Sequence, residues 1–417
     1  MSRIQVEGKA CLQGTVSVQG SKNAALPMMA AALLHAGRTR LHNCPRIADV
    51  FAMEDILHGL GVHTFWAGHT LVIDSTCLLQ PEIPADAASR LRASVLLAGS
   101  LLGRCHCAVM GYPGGCAIGS RPVDLHLDAF VALGAVYTCQ AERLVVEADQ
   151  LYGTKIRFRK RSVGATENAL LAAVCACGES VLENASIEPE VLALTSLLRQ
   201  MGADIVWTKE GSCHIRGQRP LHGTDFLIPF DRIEAGTWLF AGAMTRGRLM
   251  IHRAPVEQMA AVLSIYRKMG GQYLANSGTL IADSHQVCRA IEAETDVYPG
   301  FPTDLQPVLM AVCATLHGES RIRETVFENR FRIAEQLARL GADIHIQKDT
   351  AYIAGPARWR AGTVEATDLR AGAALVLAGL VCEDCVTIKH SERIDRGYEE
   401  IDKKIHLLGG RIRKEKD

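Results

Sequence analysis

Apolar residues recur at helical spacing from Pro189 to Gly202, where Val191, Leu192, Leu194, Leu197, Leu198 and Met201 form a single stripe that stops at a glycine. The stripe predicts an amphipathic helix lying on a core, with Gly202 as its C-terminal cap. The residues that follow, Ala203-Asp204-Ile205-Val206-Trp207, alternate toward a strand. The same closing phrase occurs six times: Leu60-Gly61-Val62, Leu133-Gly134-Ala135, Met201-Gly202-Ala203, Met269-Gly270-Gly271, Leu340-Gly341-Ala342 and Leu408-Gly409-Gly410. Its glycines lie 73, 68, 68, 71 and 68 residues apart, so one unit of roughly 70 residues, repeated six times, accounts for the chain.

A second helix per repeat is apolar on all sides: Ala24 to Leu34, Ala93 to Leu102, Asn168 to Cys177, Gly236 to Met244, Leu305 to Leu316 and Ala371 to Leu380. A helix of that kind has to be buried all round. Each repeat thus offers one helix to an interior and one nearer the surface, with strands around them. At 417 residues the chain is too long for one core. The expected fold class is α/β, built from α+β repeats grouped as two domains of three.

Composition narrows the function classes. Hydrophobic residues make up 48% of the chain, and 45 Lys and Arg balance 45 Asp and Glu, so no global field draws it to nucleic acid or to a membrane surface. Anion binding, if present, has to be local. The start, Met1-Ser2-Arg3-Ile4-Gln5-Val6-Glu7-Gly8, lacks the apolar core of a signal peptide, and no later run is long enough to span a bilayer. A cytoplasmic location is expected, with the 14 cysteines as reduced thiols. Cys105-His106-Cys107 and Cys382-Glu383-Asp384-Cys385 lack a second pair at metal-site spacing, so neither a metal nor a cofactor is expected.

The chemistry-bearing residues gather at one position of the repeat, the start of each apolar helix: Gly20-Ser21-Lys22-Asn23, Leu91-Arg92-Ala93-Ser94, Ser162-Val163-Gly164-Ala165-Thr166, Asp231-Arg232-Ile233-Glu234, Pro302-Thr303-Asp304 and Asp368-Leu369-Arg370. Capping accounts for Ser21, Thr303 and Asp368. It does not account for Lys22, Arg92 and Arg370, because a cation at the positive end of a helix dipole calls for an anion nearby. That anion is either a shared ligand or acidic partners from a facing domain. The outer helices add Arg121-Pro122-Val123-Asp124, Glu328-Asn329-Arg330-Phe331 and Asp395-Arg396-Gly397-Tyr398. Just before Arg121, the segment Pro113-Gly114-Gly115-Cys116-Ala117-Ile118-Gly119-Ser120 sets one thiol among glycines. Such a loop can approach a small anion closely, and the neighbouring guanidinium favours the thiolate. Gly114, Gly115 and Gly119 suggest a lid that orders over a bound ligand.

At these residues the chain resembles the UDP-N-acetylglucosamine enolpyruvyl transferase family. The matching motifs are Ser21-Lys22-Asn23-Ala24-Ala25-Leu26-Pro27, Arg92-Ala93-Ser94, the loop from Pro113 to Leu125, Ser162 to Thr166, Asp231 to Glu234, Phe301 to Asp304, Glu324 to Phe331, Ala366 to Arg370 and Ile394 to Glu399, in order over essentially the whole chain. The resemblance implies two inside-out α/β barrel domains, residues 20–229 and residues 1–19 with 230–417, and an active site in the cleft between them. It also implies roles. Lys22, Arg121 and Arg396 hold phosphoenolpyruvate, with Arg92 and Arg370 shaping the same pocket. Arg121, Pro122, Val123, Asp124 and Leu125 line the uridine site with Lys160, Ser162, Val163 and Gly164. Asn23, Asp304 and Val326 face the amino sugar, and Arg330 joins the substrate-binding set.

The implied reaction adds the sugar 3′-hydroxyl to the internal carbon of the enol ether and then eliminates phosphate, as the first committed step of peptidoglycan synthesis. Its small-molecule substrates, phosphoenolpyruvate and UDP-N-acetylglucosamine, are the only partners expected; no protein partner is evident. Asp304 is the expected base, and Cys116 the expected acid and covalent partner, with Lys22 and Arg396 counted among the catalytic residues. No metal is needed. A thiol at position 116 also predicts alkylation by the epoxide antibiotic fosfomycin. Ala48, Ser100 and Arg161 depart from common residues of the family, which touches substrate-loop details and not the reaction. Competing readings are another enolpyruvyl transferase of the same fold and a silent nucleotide-sugar-binding regulator.

Overall fold

The structure is a computed structural model that describes residues 2–78, 80–111, 122–140 and 143–416. Its described residues form two compact units, residues 2–19 with 230–416 and residues 20–111 with 122–229. Each unit has one hydrophobic core of its own.

The repeat seen in the sequence is the repeat of the structure. All six phrase glycines adopt positive φ: Gly61 (86°), Gly134 (98°), Gly202 (107°), Gly270 (102°), Gly341 (104°) and Gly409 (86°). A residue with a Cβ is strained there, so glycine lets the outer helix end and the chain turn at once into a strand. Strands His63–Ala67, Val136–Gln140, Asp204–Trp207, Gln272–Asn276, Asp343–Gln347 and Ile412–Lys416 follow. Among the described residues the sheets are six, of four strands each. In the first repeat, Arg38–His42 lies antiparallel to Thr70–Asp74, which turns back on His63–Ala67, while Asp225–Leu227 adds a parallel edge.

The N-terminal residues complete two sheets of the unit that contains 230–416. Gln13–Ser17 runs parallel to Arg248–His252, with Val16 opposite Ile251. Ser2–Val6 lies between Val386–Lys389 and Ile412–Lys416, antiparallel to both. Ile4 and Val6 point into the core, fully buried.

The apolar helices form the interior of each unit, as their all-round hydrophobicity requires. They are Lys22–Ala31, Leu96–Cys105 and Val163–Ala173 in one unit, and Arg232–Thr245, Gln306–Cys313 and Leu369–Val381 in the other. Every residue of Arg232–Thr245 is buried. Close approach of these helices needs small residues: a Cβ on Gly99 would lie 2.6 Å from the carbonyl oxygen of Asn168. Ser100 donates its hydroxyl to the Ala30 carbonyl at 2.7 Å, tying the second inner helix to the first.

Helix starts differ most from the sequence expectation in the second, third and fourth repeats; in the fourth, Asp231 caps a helix that begins at Arg232, four residues before Gly236. In the second repeat Arg92–Val95 forms a 3-10 turn, and the α-helix begins only at Leu96. The Ser94 amide bonds the Leu91 carbonyl, the tighter i→i+3 pattern. In the third repeat the helix starts at Val163, five residues before Asn168, because Ser162 caps it through the Ala165 amide at 3.3 Å. No helix among the described residues is long and apolar enough to cross a membrane.

Candidate active site

In the unit of residues 230–416 the candidate residues converge on Asp304. This residue lies in the short helix Thr303–Leu305 that leads into Gln306–Cys313. Its two carboxylate oxygens each accept from a different guanidinium, Arg330 Nη2 at 2.9 Å and Arg370 Nη2 at 2.8 Å. The arginine side chains are 2% and 4% exposed, against 27% for Asp304, so the carboxylate is the accessible face of a buried trio. Burial opposes a charge on Arg370, but Asp304, Tyr398 and Asp231 outweigh it and hold the guanidinium protonated. Arg370 also lies over the Tyr398 ring, 5.6 Å from its centroid.

Glu324, which the sequence reading did not single out as a site residue, assembles this corner. It accepts from the amides of Val326 (2.9 Å) and Phe327 (3.1 Å) and from the Thr303 hydroxyl (3.0 Å). Val326 is thereby fixed relative to Asp304. Thr303 is therefore not a helix cap: Pro302 occupies the cap position, and the hydroxyl goes to Glu324 instead. Asp368 does cap, its Oδ1 accepting from the amides of Arg370 (2.8 Å) and Ala371 (3.1 Å). Arg396 ends the 3-10 turn Ser391–Arg396 and is half-buried. The loop after it is anchored by Gln19, which donates to the Gly397 carbonyl (2.8 Å) and accepts from the Glu399 amide (2.8 Å).

In the other unit Lys22 begins helix Lys22–Ala31 behind a Ser21 cap. Its ammonium sits 2.6 Å from Asp49 Oδ2, with the side chains 13% and 5% exposed. Asp49 is in the first turn of helix Ala48–Gly59, where the helix end favours an anion. For Lys22 and Arg370, then, acidic partners come from within the same unit, and a cation at a helix start does not by itself imply a ligand. Asn23 and Arg92 are half-buried at their helix starts, and Ser162, Val163 and Gly164 open Val163–Ala173. Lys160 is exposed, as is Pro122; Val123 is buried, and Asp124 and Leu125 begin helix Asp124–Ala132. Arg159 bridges Asp124 and Asp128 on the outer side. Cys116 and Arg121, with the glycine loop, lie outside the described residues.

The remaining thiols contrast with the role expected of Cys116. Burial pushes Cys175 up to about 11, and Cys213, Cys313 and Cys382 up to about 12, so these stay protonated at neutral pH. Among the described residues no group of three or more His, Cys, Asp and Glu is arranged to hold a metal ion. A cavity of about 820 Å³ lies beside His252, Arg253, Ala275 and Asn276 and involves none of these residues.

Six sheets around two sets of inner helices, with paired ions at the helix starts, define an enolpyruvyl transferase fold. The chain belongs to the EPSP synthase (3-phosphoshikimate 1-carboxyvinyltransferase) family, which it matches over residues 6–405. It is 42% identical to a UDP-N-acetylglucosamine 1-carboxyvinyltransferase of Xanthobacter autotrophicus, over 99% of each chain. Among solved structures, the enolpyruvyl transferase NikO from Streptomyces tendae is similar over 99% of each chain, with a TM-score of 0.90 at 27% identity. An EPSP synthase from Acinetobacter baumannii shares the fold, with a TM-score of 0.75 at 18% identity over the full length of both.

Proposed function

We propose that this chain transfers the enolpyruvyl group of phosphoenolpyruvate to the 3′-hydroxyl of UDP-N-acetylglucosamine with release of phosphate, the first committed step of peptidoglycan synthesis, in the cytoplasm. The observation that carries the reading is the full-length, 42% identical relative of that name, whose reaction needs the charged groups present here. The 3′-hydroxyl oxygen bonds the internal carbon of the enol ether while a proton is delivered to the methylene end. In the second step the carbon–oxygen bond to phosphate breaks, and the methyl group gives up a proton to restore the double bond. Asp304 receives the hydroxyl proton. Its two guanidinium partners orient it as an anion, and its partial exposure leaves it reachable. Cys116 supplies the proton to the methylene carbon and serves as a transient covalent partner. Lys22, Arg121 and Arg396 take the phosphate and carboxylate charges, and Arg92 and Arg370 add to the positive potential. Pro122 to Leu125, with Lys160, Ser162, Val163 and Gly164, bind the uridine end. Asn23, Val326 and Arg330 complete the sugar side.

The match to the EPSP synthase (3-phosphoshikimate 1-carboxyvinyltransferase) family favours, as a second reading, an enolpyruvyl transferase with a different acceptor. Phosphate release from phosphoenolpyruvate separates the two. Turnover that requires UDP-N-acetylglucosamine, and is largely abolished in Cys116→Ala and Asp304→Ala, supports the first; turnover only with another acceptor supports the second. Fosfomycin with the sugar nucleotide present is expected to add one adduct, mapped by mass spectrometry to Cys116. An adduct confined to the exposed Cys11, Cys77, Cys139 or Cys385 would count against the role of that thiol.

A further inference from the structure

Two segments proposed for the uridine end, Pro122 to Leu125 and Ser162 to Gly164, begin two different helices, and one buried side chain links them. His126 lies in the first turn of Asp124–Ala132 and is 6% exposed. Its Nδ1 is 2.7 Å from Nδ2 of Asn168, a fully buried residue of Val163–Ala173. The orientation of the Asn168 amide is fixed on its other sides. Its Oδ1 accepts from the Gly99 amide at 2.9 Å, and its Nδ2 donates to the Val95 carbonyl at 2.8 Å. One Nδ2 hydrogen remains, so His126 Nδ1 has to be the acceptor and the ring proton has to sit on Nε2. The other edge of the ring packs on the backbone of the second segment: a Cβ on Gly164 would lie 3.1 Å from His126 Cε1. One imidazole thus touches the helix of the uridine segment at two points and is itself one residue from the other segment.

We propose that His126 is a positioning residue that holds the two uridine segments at the separation a nucleotide needs, and so sets affinity for the nucleotide half of the sugar substrate without touching the reacting atoms. The inference rests on the proposed function. It also accounts for glycine at 164, where a Cβ would press on the ring at 3.1 Å.

The test compares His126→Phe, which keeps a flat ring but has no acceptor, with His126→Asn, whose amide oxygen can take the place of Nδ1. Calorimetry with UDP and steady-state kinetics with both substrates provide the readouts. His126→Phe is expected to weaken UDP binding and raise KM for UDP-N-acetylglucosamine by about tenfold, the size of one buried hydrogen bond, and to leave KM for phosphoenolpyruvate within about twofold. His126→Asn should recover most of the loss, and Gly164→Ala should reproduce it. Unchanged UDP affinity in His126→Phe, or a His126→Asn no better than His126→Phe, would overturn the proposal, as would an equal rise in both KM values. Should His126→Phe fail to fold, Gly164→Ala and His126→Asn decide the matter by the same readouts. A wild-type protein that turns over phosphoenolpyruvate with another acceptor and binds no UDP would remove the functional reading, and this inference with it.

Discussion

In both units the first and last inner helices start on a side-chain cap, but serine does this in one unit and aspartate in the other. Ser21 and Ser162 each accept from one amide, at 3.4 and 3.3 Å. Asp231 and Asp368 each accept from two, at 2.8 and 3.1 Å in both cases. The aspartates bring a negative charge to the helix end, and with it the unit tolerates Arg232 and Arg370 in its interior. Arg330 and Arg370 are paired with Asp304, whose carboxylate stays partly open at 27% exposure. A serine cap satisfies an amide and adds no charge, so the helix end keeps its pull on an anion. Equivalent corners of one repeat have thus diverged, one toward a charged cap with two acceptor bonds and the other toward a neutral cap with one.

The largest test of this contrast sets Asp304→Ala against Lys22→Ala. Removing Asp304 should lower kcat by about 10³-fold or more through loss of the base and of its charge. It should also destabilise the fold by about 3–5 kcal/mol, because Arg330 and Arg370 would be left buried without their shared carboxylate. Lys22→Ala should cost activity on the order of 10²-fold or more, but less stability, since Asp49 keeps its place in a helix first turn. Thermal melts alongside kinetics decide it, and equal loss of melting temperature in the two variants would contradict the contrast.

A smaller effect comes from exchanging the caps. Ser162→Asp should preserve or slightly raise the melting temperature while increasing KM for UDP-N-acetylglucosamine by about tenfold, because a carboxylate now occupies a helix end proposed for the substrate. Asp368→Ser should do the opposite in kind, with about 1 kcal/mol lost and little change in that KM. A Ser162→Asp variant with unaltered KM would argue that the serine caps are structural only.

The third prediction concerns pH. Glu167 is fully enclosed, and burial, reinforced by Glu190 and Glu188, raises its carboxyl well above the ordinary 4.5. One of its oxygens makes no hydrogen bond. The native state therefore keeps a proton that the unfolded chain releases once pH passes the ordinary carboxyl range. Stability that is fully present below that range is lost as pH rises toward the raised native value. Between pH 5 and 8 the melting temperature of the wild type should fall relative to that of Glu167→Gln. Parallel profiles for the two proteins would show that Glu167 does not retain its proton.

The hydrophobic pattern made the repeats, the outer-helix ends and the buried helices legible, because glycine at a positive-φ turn and an all-apolar helix have few other uses. The polar partners were not legible in the same way. Asp49, Glu324, His126 and Asn168 each make a side-chain contact with a residue 21 to 73 positions away, which no local pattern marks. Thr303 looked like a cap for the same reason, since its partner Glu324 lies 21 residues on. Divergence between repeats was hidden too. His42 with Thr70 and His252 with Thr279 are matching pairs, each at 3.0 Å. Near the first pair Arg46 stacks on Trp66 at 4.7 Å, whereas the corresponding Val256 and Ala275 line the 820 Å³ cavity. The indole of Trp66 in one repeat thus has Ala275 beside a cavity as its counterpart in the other.

The smallest expected effect concerns the outer side of the uridine segments, where Arg159 pairs with Asp124 and Asp128. The geometry resembles that of the buried His126 contact in spanning the same two chain segments, but Arg159 is 61% exposed and Asp128 62%. Water and salt screen such a pair, and two long side chains lose freedom in forming it. Arg159→Ala should shift the melting temperature by less than about 2 °C and change KM for UDP-N-acetylglucosamine by less than about threefold. Salt at about 0.5 M, roughly three times physiological ionic strength, should erase even that difference. If Arg159→Ala instead matched His126→Phe, the separation of the segments would be governed at the surface and not in the core. The contrast between an exposed ion pair and one buried neutral hydrogen bond would then have been drawn in the wrong direction.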